Sequence, residues 1–271
     1  MTHAQPACRR SFADDFALEK HGHRFTKVLG DRWTFAGHVF GGYSGALLVA
    51  ATAKLAAFPE LLSANLTFLR RVVAGPVEVK VDEVLSARSA WVGRAVLAQN
   101  GEPSLIGDVW FAKAGTLAPV DPLPDPPGRT QPAPWYYREY PFMNVFEHHA
   151  VDYPIDLDHD PPESPPRLNV WARAQDALAV RTPLERQLFT IMLIDGYIID
   201  AAVRPHGLRD MTGLSHNLAI HWTAMPTAAG WFEFRAEAFG KPELSATRGE
   251  VRGANGPCAW ALQQGRVRPR S

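Results

Sequence analysis

Gly42-Tyr43-Ser44-Gly45-Ala46-Leu47-Leu48-Val49-Ala50-Ala51-Thr52-Ala53-Lys54-Leu55-Ala56-Ala57 is the stretch on which the fold turns. It is hydrophobic almost all round, the pattern of a helix buried on most of its sides, and Pro59 ends it. A helix without a polar face must be wrapped, and an antiparallel sheet curling around it is the economical way to do so. The residues that follow supply the strands. Leu66 to Val73, Val77 to Leu85, Ala90 to Gln99 and Leu105 to Ala112 alternate or run apolar at strand length, with a hairpin signal at Asn100-Gly101.

The chain then says the same thing again. Gly42-Tyr43, Ser63-x-Asn65-Leu66 and Asn100-Gly101 return in order as Gly196-Tyr197, Ser215-x-Asn217-Leu218 and Asn255-Gly256, with steps of 21 and 37 residues against 19 and 40. Three matches in one order at nearly equal gaps indicate a duplicated unit. The second helix is better marked, because Thr182-Pro183-Leu184-Glu185 combines a capping threonine, a proline at the first helical position and a glutamate at the third. It is expected to run to about Val203, with Pro205 and Gly207 as the stop, followed by strands at Leu218 to Trp222, Trp231 to Phe239, Thr247 to Gly253 and Ala259 to Val267. Where the copies differ matters most. Before the shared Gly-Tyr the first copy has Gly41 and the second has Asp195.

Between the copies, from Gly115 to Pro166, lie 13 of the 23 prolines. Proline removes a backbone donor and restricts its neighbour, so this stretch reads as a linker with no helix or sheet interior. An apolar island within it, Trp135-Tyr136-Tyr137 and Phe142 to Phe146, is expected to dock on one of the halves, and Phe146 to Val151 reads as the first strand of the second. The division is then 1–114, a linker at 115–145, and 146–271.

Composition narrows the function. Lysine plus arginine and aspartate plus glutamate both number 28, so no global field draws the chain to nucleic acid or an anionic membrane, and a neutral partner or a locally bound small anion fits better. At 46% hydrophobic residues, 271 residues can fill a core in each half of a soluble protein. No run approaches the ~18 apolar residues of a membrane helix. Met1 to Arg10 lacks a signal-peptide core, and Cys8 and Cys258 are too few for a disulfide framework, so the cytoplasm is the expected compartment.

Val39-Phe40-Gly41-Gly42-Tyr43, Phe68-Leu69-Arg70, Leu193-Ile194-Asp195-Gly196-Tyr197, Asn217-Leu218-Ala219-Ile220-His221-Trp222 and Leu262-Gln263-Gln264-Gly265 stand in an order that resembles the acyl-CoA thioesterase II family. The resemblance implies an α+β double hotdog, in which two antiparallel sheets each wrap a long central helix and pack as a pseudo-dimer. It also implies hydrolysis of acyl-CoA without a cofactor or metal, and a homodimer. A non-catalytic acyl-CoA or acyl-chain binding protein on the same fold is the contrasting expectation.

Asp195 falls near the middle of an apolar helix, where an ionised carboxylate needs donors, a raised pKa or a cavity. Its bland alternative is a satisfied core aspartate. Gln263 offers a donor and an acceptor in an apolar row formed by Ala259, Ala261 and Val267, or else lies on a wet face near the terminus. Ser215 reads equally as a turn residue before its strand. The resemblance implies that Asp195, Ser215 and Gln263 hold and activate a water, while backbone N–H groups at the helix start, in Gly41-Gly42-Tyr43, face the oxyanion; close packing of the halves is the other reading of Gly41-Gly42. Asn217 stands where many relatives have aspartate.

Other patterns are weaker. Gly42-Tyr43-Ser44-Gly45-Ala46 narrowly misses a nucleophile elbow, which would need a parallel sheet before it. Asp156, Asp158 and Asp160 lack the glycine and glutamate of a calcium loop, and His21, His23, His148 and His149 lack a metal-binding partner cluster. Asp108, on the first-copy strand that matches the Gln263 strand, is expected to be exposed.

Overall fold

The computed structural model describes residues 11–126, 141–152, 164–175, 178–208 and 211–269. The first repeat opens with a short helix α1 (Phe12–Asp15), strands β1 (Glu19–His21) and β2 (Arg24–Leu29), and a small hairpin of β3 (Thr34–Phe35) and β4 (His38–Val39). The apolar helix α2 (Gly41–Ala53) comes next, ending before Pro59. Strands β5 (Glu60–Phe68), β6 (Gly75–Ser86), β7 (Ala90–Gln99) and β8 (Glu102–Ala112) complete it, with Asn100 and Gly101 turning the last hairpin at positive φ.

The second repeat follows the same script. Strands β10 (Phe146–Asp152) and β11 (Arg167–Ala174) precede helix α3 (Pro183–Tyr197), whose capping box of Thr182 and Glu185 forms as the spacing predicts. A turn and a short helix α4 (Asp200–Val203) carry the chain to β12 (Met211–Trp222), β14 (Phe232–Lys241), β15 (Leu244–Gly253) and β16 (Gly256–Pro269). Of the elements before the central helices, β10 forms where Phe146 to Val151 reads as a strand, whereas β1 and β2 are too short to be legible and β11 follows the proline-rich stretch.

All the long strands join one antiparallel sheet in the order β1-β2-β6-β7-β8-β5-β12-β16-β15-β14-β11-β10. Two separate sheets were expected; one forms because β5 and β12 pair from Ser63–His221 to Thr67–Asn217. An unpaired inner edge in each repeat would leave a row of unmet backbone groups, and this pairing meets both rows. The order reads alike outward from the seam in either direction. The central helices lie together within it, and small residues permit the approach. A Cβ on Gly45 would stand 2.7 Å from Leu66 and 3.7 Å from Ile191.

Two polar contacts fix one repeat to the other. Gln187 of α3 is fully buried, and its amide donates to the Leu61 carbonyl at 2.7 Å and accepts from the Leu61 N–H at 3.4 Å, where β5 shifts register. The early part of the expected linker is not free of sheet. Strand β9 (Ala118–Val120) pairs in parallel with β13 (Ala224–Pro226), and Leu123 bridges Trp231. Proline is tolerated there because the ribbon has only two strands, each with an edge to spare. Of the apolar island, Phe142 stacks on Phe40 at 4.0 Å and so docks on the first repeat, whereas Trp135-Tyr136-Tyr137, Cys8 and Asp156 to Asp160 lie outside the described residues. Among the described residues no helix is long and apolar enough to cross a membrane.

Candidate active site

The start of α2 and the last turns of α3 meet where the two repeats differ. Helix α2 begins without a side-chain cap, since Phe40 occupies the cap position. Asp195 of α3 fills that role from across the interface, accepting a hydrogen bond from the Gly42 backbone N–H. Glycine is required opposite it. A Cβ on Gly41 would lie 2.9 Å from Asp195 Oδ2, and one on Gly42 would lie 2.5 Å from the Phe40 ring and 3.1 Å from Asp195 Cβ.

The same approach sets the chemistry of Asp195. Its side chain is buried, and Oδ1 has no hydrogen-bond partner among the described residues. Burial pushes its pKa up to about 7, and the Gly42 N–H offsets only part of that rise. A carboxyl group titrating there can take a proton near neutral pH and hand it on.

Strand β12 brings a second group to the same face. Its register against β16 shifts between Ser215 and Asn217, so His216 is an extra residue bulged out of the ladder. A bulge turns the residues on one side of it over to the opposite face of the sheet. Ser215 consequently points inward, and Gln263 of β16, 1% exposed, donates from Nε2 to Ser215 Oγ at 2.9 Å. Ser215 is therefore within the strand and not in a turn before it. Gln263 Oε1 has no partner among the described residues, nor has the hydroxyl of buried Thr247, which stands directly across the ladder from it on β15. Thr247 went unnoticed in the sequence, where a threonine in a strand carries no signal of its own.

Asp195, Gly41 and Ser215 line one cleft of about 350 Å³ between the repeats. Phe35, Phe40, Phe68 and Phe142 give it an aromatic side. Gln263 does not reach the cleft surface and stands behind Ser215.

Residues 29–112 match the family model of the acyl-CoA thioesterase N-terminal domain. The match lies within the N-terminal repeat. No curated protein matches the chain. Among solved structures, the chain is similar to the TesB protein of Mycobacterium avium subspecies paratuberculosis, at 17% identity and a TM-score of 0.76 over 95% of this chain and 98% of that one. It is also similar to acyl-CoA thioesterase II TesB2 of Mycobacterium marinum, at 17% identity and 0.74 over 96% and 99%. A conserved hot dog fold protein of Alicyclobacillus acidocaldarius matches at 17% and 0.74 over 96% and 98%. At such identities these likenesses establish the hotdog fold along nearly the whole length.

The other residues singled out by the sequence sort by the face they occupy. The Tyr43 side chain is stacked on Trp33 at 5.0 Å and donates to the Asp15 carbonyl at 2.7 Å, so only its backbone is left to serve a ligand. Ser44 lines the cleft, but its hydroxyl donates to the Phe40 carbonyl at 3.3 Å inside a helix flanked by antiparallel strands, which is no nucleophile elbow. Asn217 faces away, exchanging two hydrogen bonds with Gln264. Asp108 forms a paired ionic contact with Arg94 on the outer face. His148 is fully buried against Tyr197, and burial drives its pKa down to about 3.

Gly107 completes the comparison of the repeats. Asn65 pairs with Asp108 and Leu66 with Gly107, as Asn217 pairs with Gln264 and Leu218 with Gln263. The first repeat thus has glycine at both positions where the second has Asp195 and Gln263. A Cβ on Gly107 would come within 2.9 Å of Leu48, so that space is filled by hydrocarbon. Only one of the two equivalent places is polar.

Proposed function

We propose that the protein is a double-hotdog pseudo-dimer that hydrolyses acyl-CoA thioesters, with Asp195 as the general base. The observation that carries this reading is a buried carboxyl group with a pKa of about 7 that lines a cleft at the start of a helix whose own cap residue, Phe40, offers no acceptor. Thioester carbonyls are already electrophilic, so the protein has to place a water, take its proton and steady the oxyanion. Asp195 receives the proton as the water oxygen bonds to the carbonyl carbon. Ser215, held by Gln263, orients that water. The helix start favours the negative charge that develops on the carbonyl oxygen, and because the Gly42 N–H serves Asp195, the free donors there are the N–H groups of Gly41 and Tyr43. Collapse of the intermediate breaks the carbon–sulfur bond, and the proton held by Asp195 passes to the departing thiolate. The products are the free acid and CoA.

The proposal divides the chain as two hotdog repeats, 1–114 and 146–271, joined by 115–145, and takes two copies to associate, as the family resemblance implies. Thiol release from a panel of acyl-CoAs tests the activity. The wild type is expected to turn over at least one chain length, and Asp195→Asn to lose about 10²-fold or more in kcat. Tight binding of every chain length with no turnover would make the protein an acyl-CoA binder instead.

A further inference from the structure

The mouth of the cleft is basic although the chain as a whole is neutral. Arg70 and Arg71 follow β5, held by N–H bonds from Leu69 and Arg70 to the Ser104 carbonyl, and Arg266 and Arg268 project from the end of β16. They belong to different repeats. Arg70, Arg71 and Arg266 all line the cleft. Arg70 is satisfied within the protein, bonding Glu102 at 3.1 Å and the Pro103 carbonyl at 2.8 Å. The other arginines are not. Arg71 and Arg266 are exposed and have no hydrogen-bond or carboxylate partner among the described residues, and the Nε of Arg268 is buried without one. Arg268 does not line the cleft itself, but it and Arg71 both lie close enough to His38, a residue of the cleft wall, to act on it electrostatically. The acidic groups lining the cleft are Asp195 and Asp200.

Unpaired guanidinium groups gathered at one rim repel each other, and a sequence with as many acids as bases has material to neutralise them. Their collection around an opening is explained by a ligand that brings the counter-charge. Three cations exceed what a single carboxylate requires, and guanidinium groups match phosphate oxygens in a two-pronged geometry. We infer that Arg71, Arg266 and Arg268 form a phosphate subsite, built jointly by the two repeats, that holds the phosphorylated carrier arm of the thioester. This rests on the reading of the cleft as a thioester site. It adds that recognition of the carrier lies at the rim, outside the aromatic part of the cleft.

CoA without an acyl group is the probe, with pantetheine as the same arm lacking phosphate. Calorimetric titration of wild type and of the double variant Arg71→Ala/Arg266→Ala, both exposed positions, is expected to show CoA affinity falling about tenfold or more while pantetheine binding is unchanged. Wild-type affinity for CoA should also weaken as salt is raised. Undiminished CoA binding by the variant overturns the subsite, as does an equal loss for both probes or a wild type that does not bind CoA. That second result would mark general damage, and circular dichroism with thermal melting checks for it independently. Because the probe carries no acyl group, arginines that served only an acidic acyl tail would leave CoA binding intact and overturn the proposal too. Turnover is measured separately. A protein that binds CoA through these arginines but hydrolyses nothing retains the subsite and loses the hydrolytic reading.

Discussion

At the scale of single residues, the behaviour of Asp195 follows from the competition between burial and one hydrogen bond. Burial wins, and the folded carboxyl titrates at about 7 against an ordinary 3.8. If Asp195 is the base, kcat/KM rises with pH up to about 7 and levels above it, because the ionised form is the one that accepts a proton. Stability runs the other way. Between pH 4 and 7 the unfolded carboxyl is ionised while the folded one keeps its proton, so the folded state loses ground as pH rises, by an amount on the order of a few kcal/mol. Asp195→Asn is therefore expected to melt higher than wild type at pH 8 and close to it at pH 4, which parallel thermal scans would read. An unchanged difference across that range would mean that the carboxyl is not desolvated in solution. Gly41 gives a second handle, since the Cβ of Gly41→Ala would stand 2.9 Å from Oδ2. Turnover should fall by about tenfold or more with the fold retained, as a displacement of that size misplaces the base. The Gly41–Asp195 difference between the repeats was legible in the sequence. The role of Gly42 was only half legible, because a backbone N–H directed across an interface leaves no mark on residue type.

At the scale of elements, the capping box, both hairpin turns and the apolar character of the central helices were all readable, since each depends on neighbours a few residues apart. The orientation of Ser215 was not. Reading it depends on one bulged residue, His216, whose presence is defined only by the register against β16. Removing His216 should close the ladder with Ser215 still opposite Gly265 and Asn217 still opposite Gln264, so Ser215 stays on the inner face, and hydrolysis is expected to survive the deletion but to fall in Ser215→Ala. Near-normal activity in Ser215→Ala would show that Ser215 does not hold the water. Gln187 was equally hidden, because its partners, the N–H and carbonyl of Leu61, lie in the other repeat. Replacing it with leucine leaves both buried groups unmet and is expected to cost about 1–3 kcal/mol per group, measurable by urea unfolding.

At the scale of the whole molecule, the duplication announces two units, but not the edge along which they join. That edge is the pairing of β5 with β12, and it has consequences for any attempt to separate the repeats. Strand β5 alone would present nine residues of unpaired backbone, and β12 would present twelve. Long bare edges invite pairing with whatever strand is nearest. The cleft also needs both units, since Gly41 and Arg71 come from one and Asp195, Ser215 and Arg266 from the other. A chain divided after Gly128, which keeps β9 with the first fragment, should then give two pieces that aggregate or self-associate when made singly. Made together they should recover hydrolysis, because β5 can meet β12 and β9 can meet β13 without a covalent connection. Activity from either fragment alone would contradict a site shared between the repeats, and would move the chemistry away from Asp195 and Gly41.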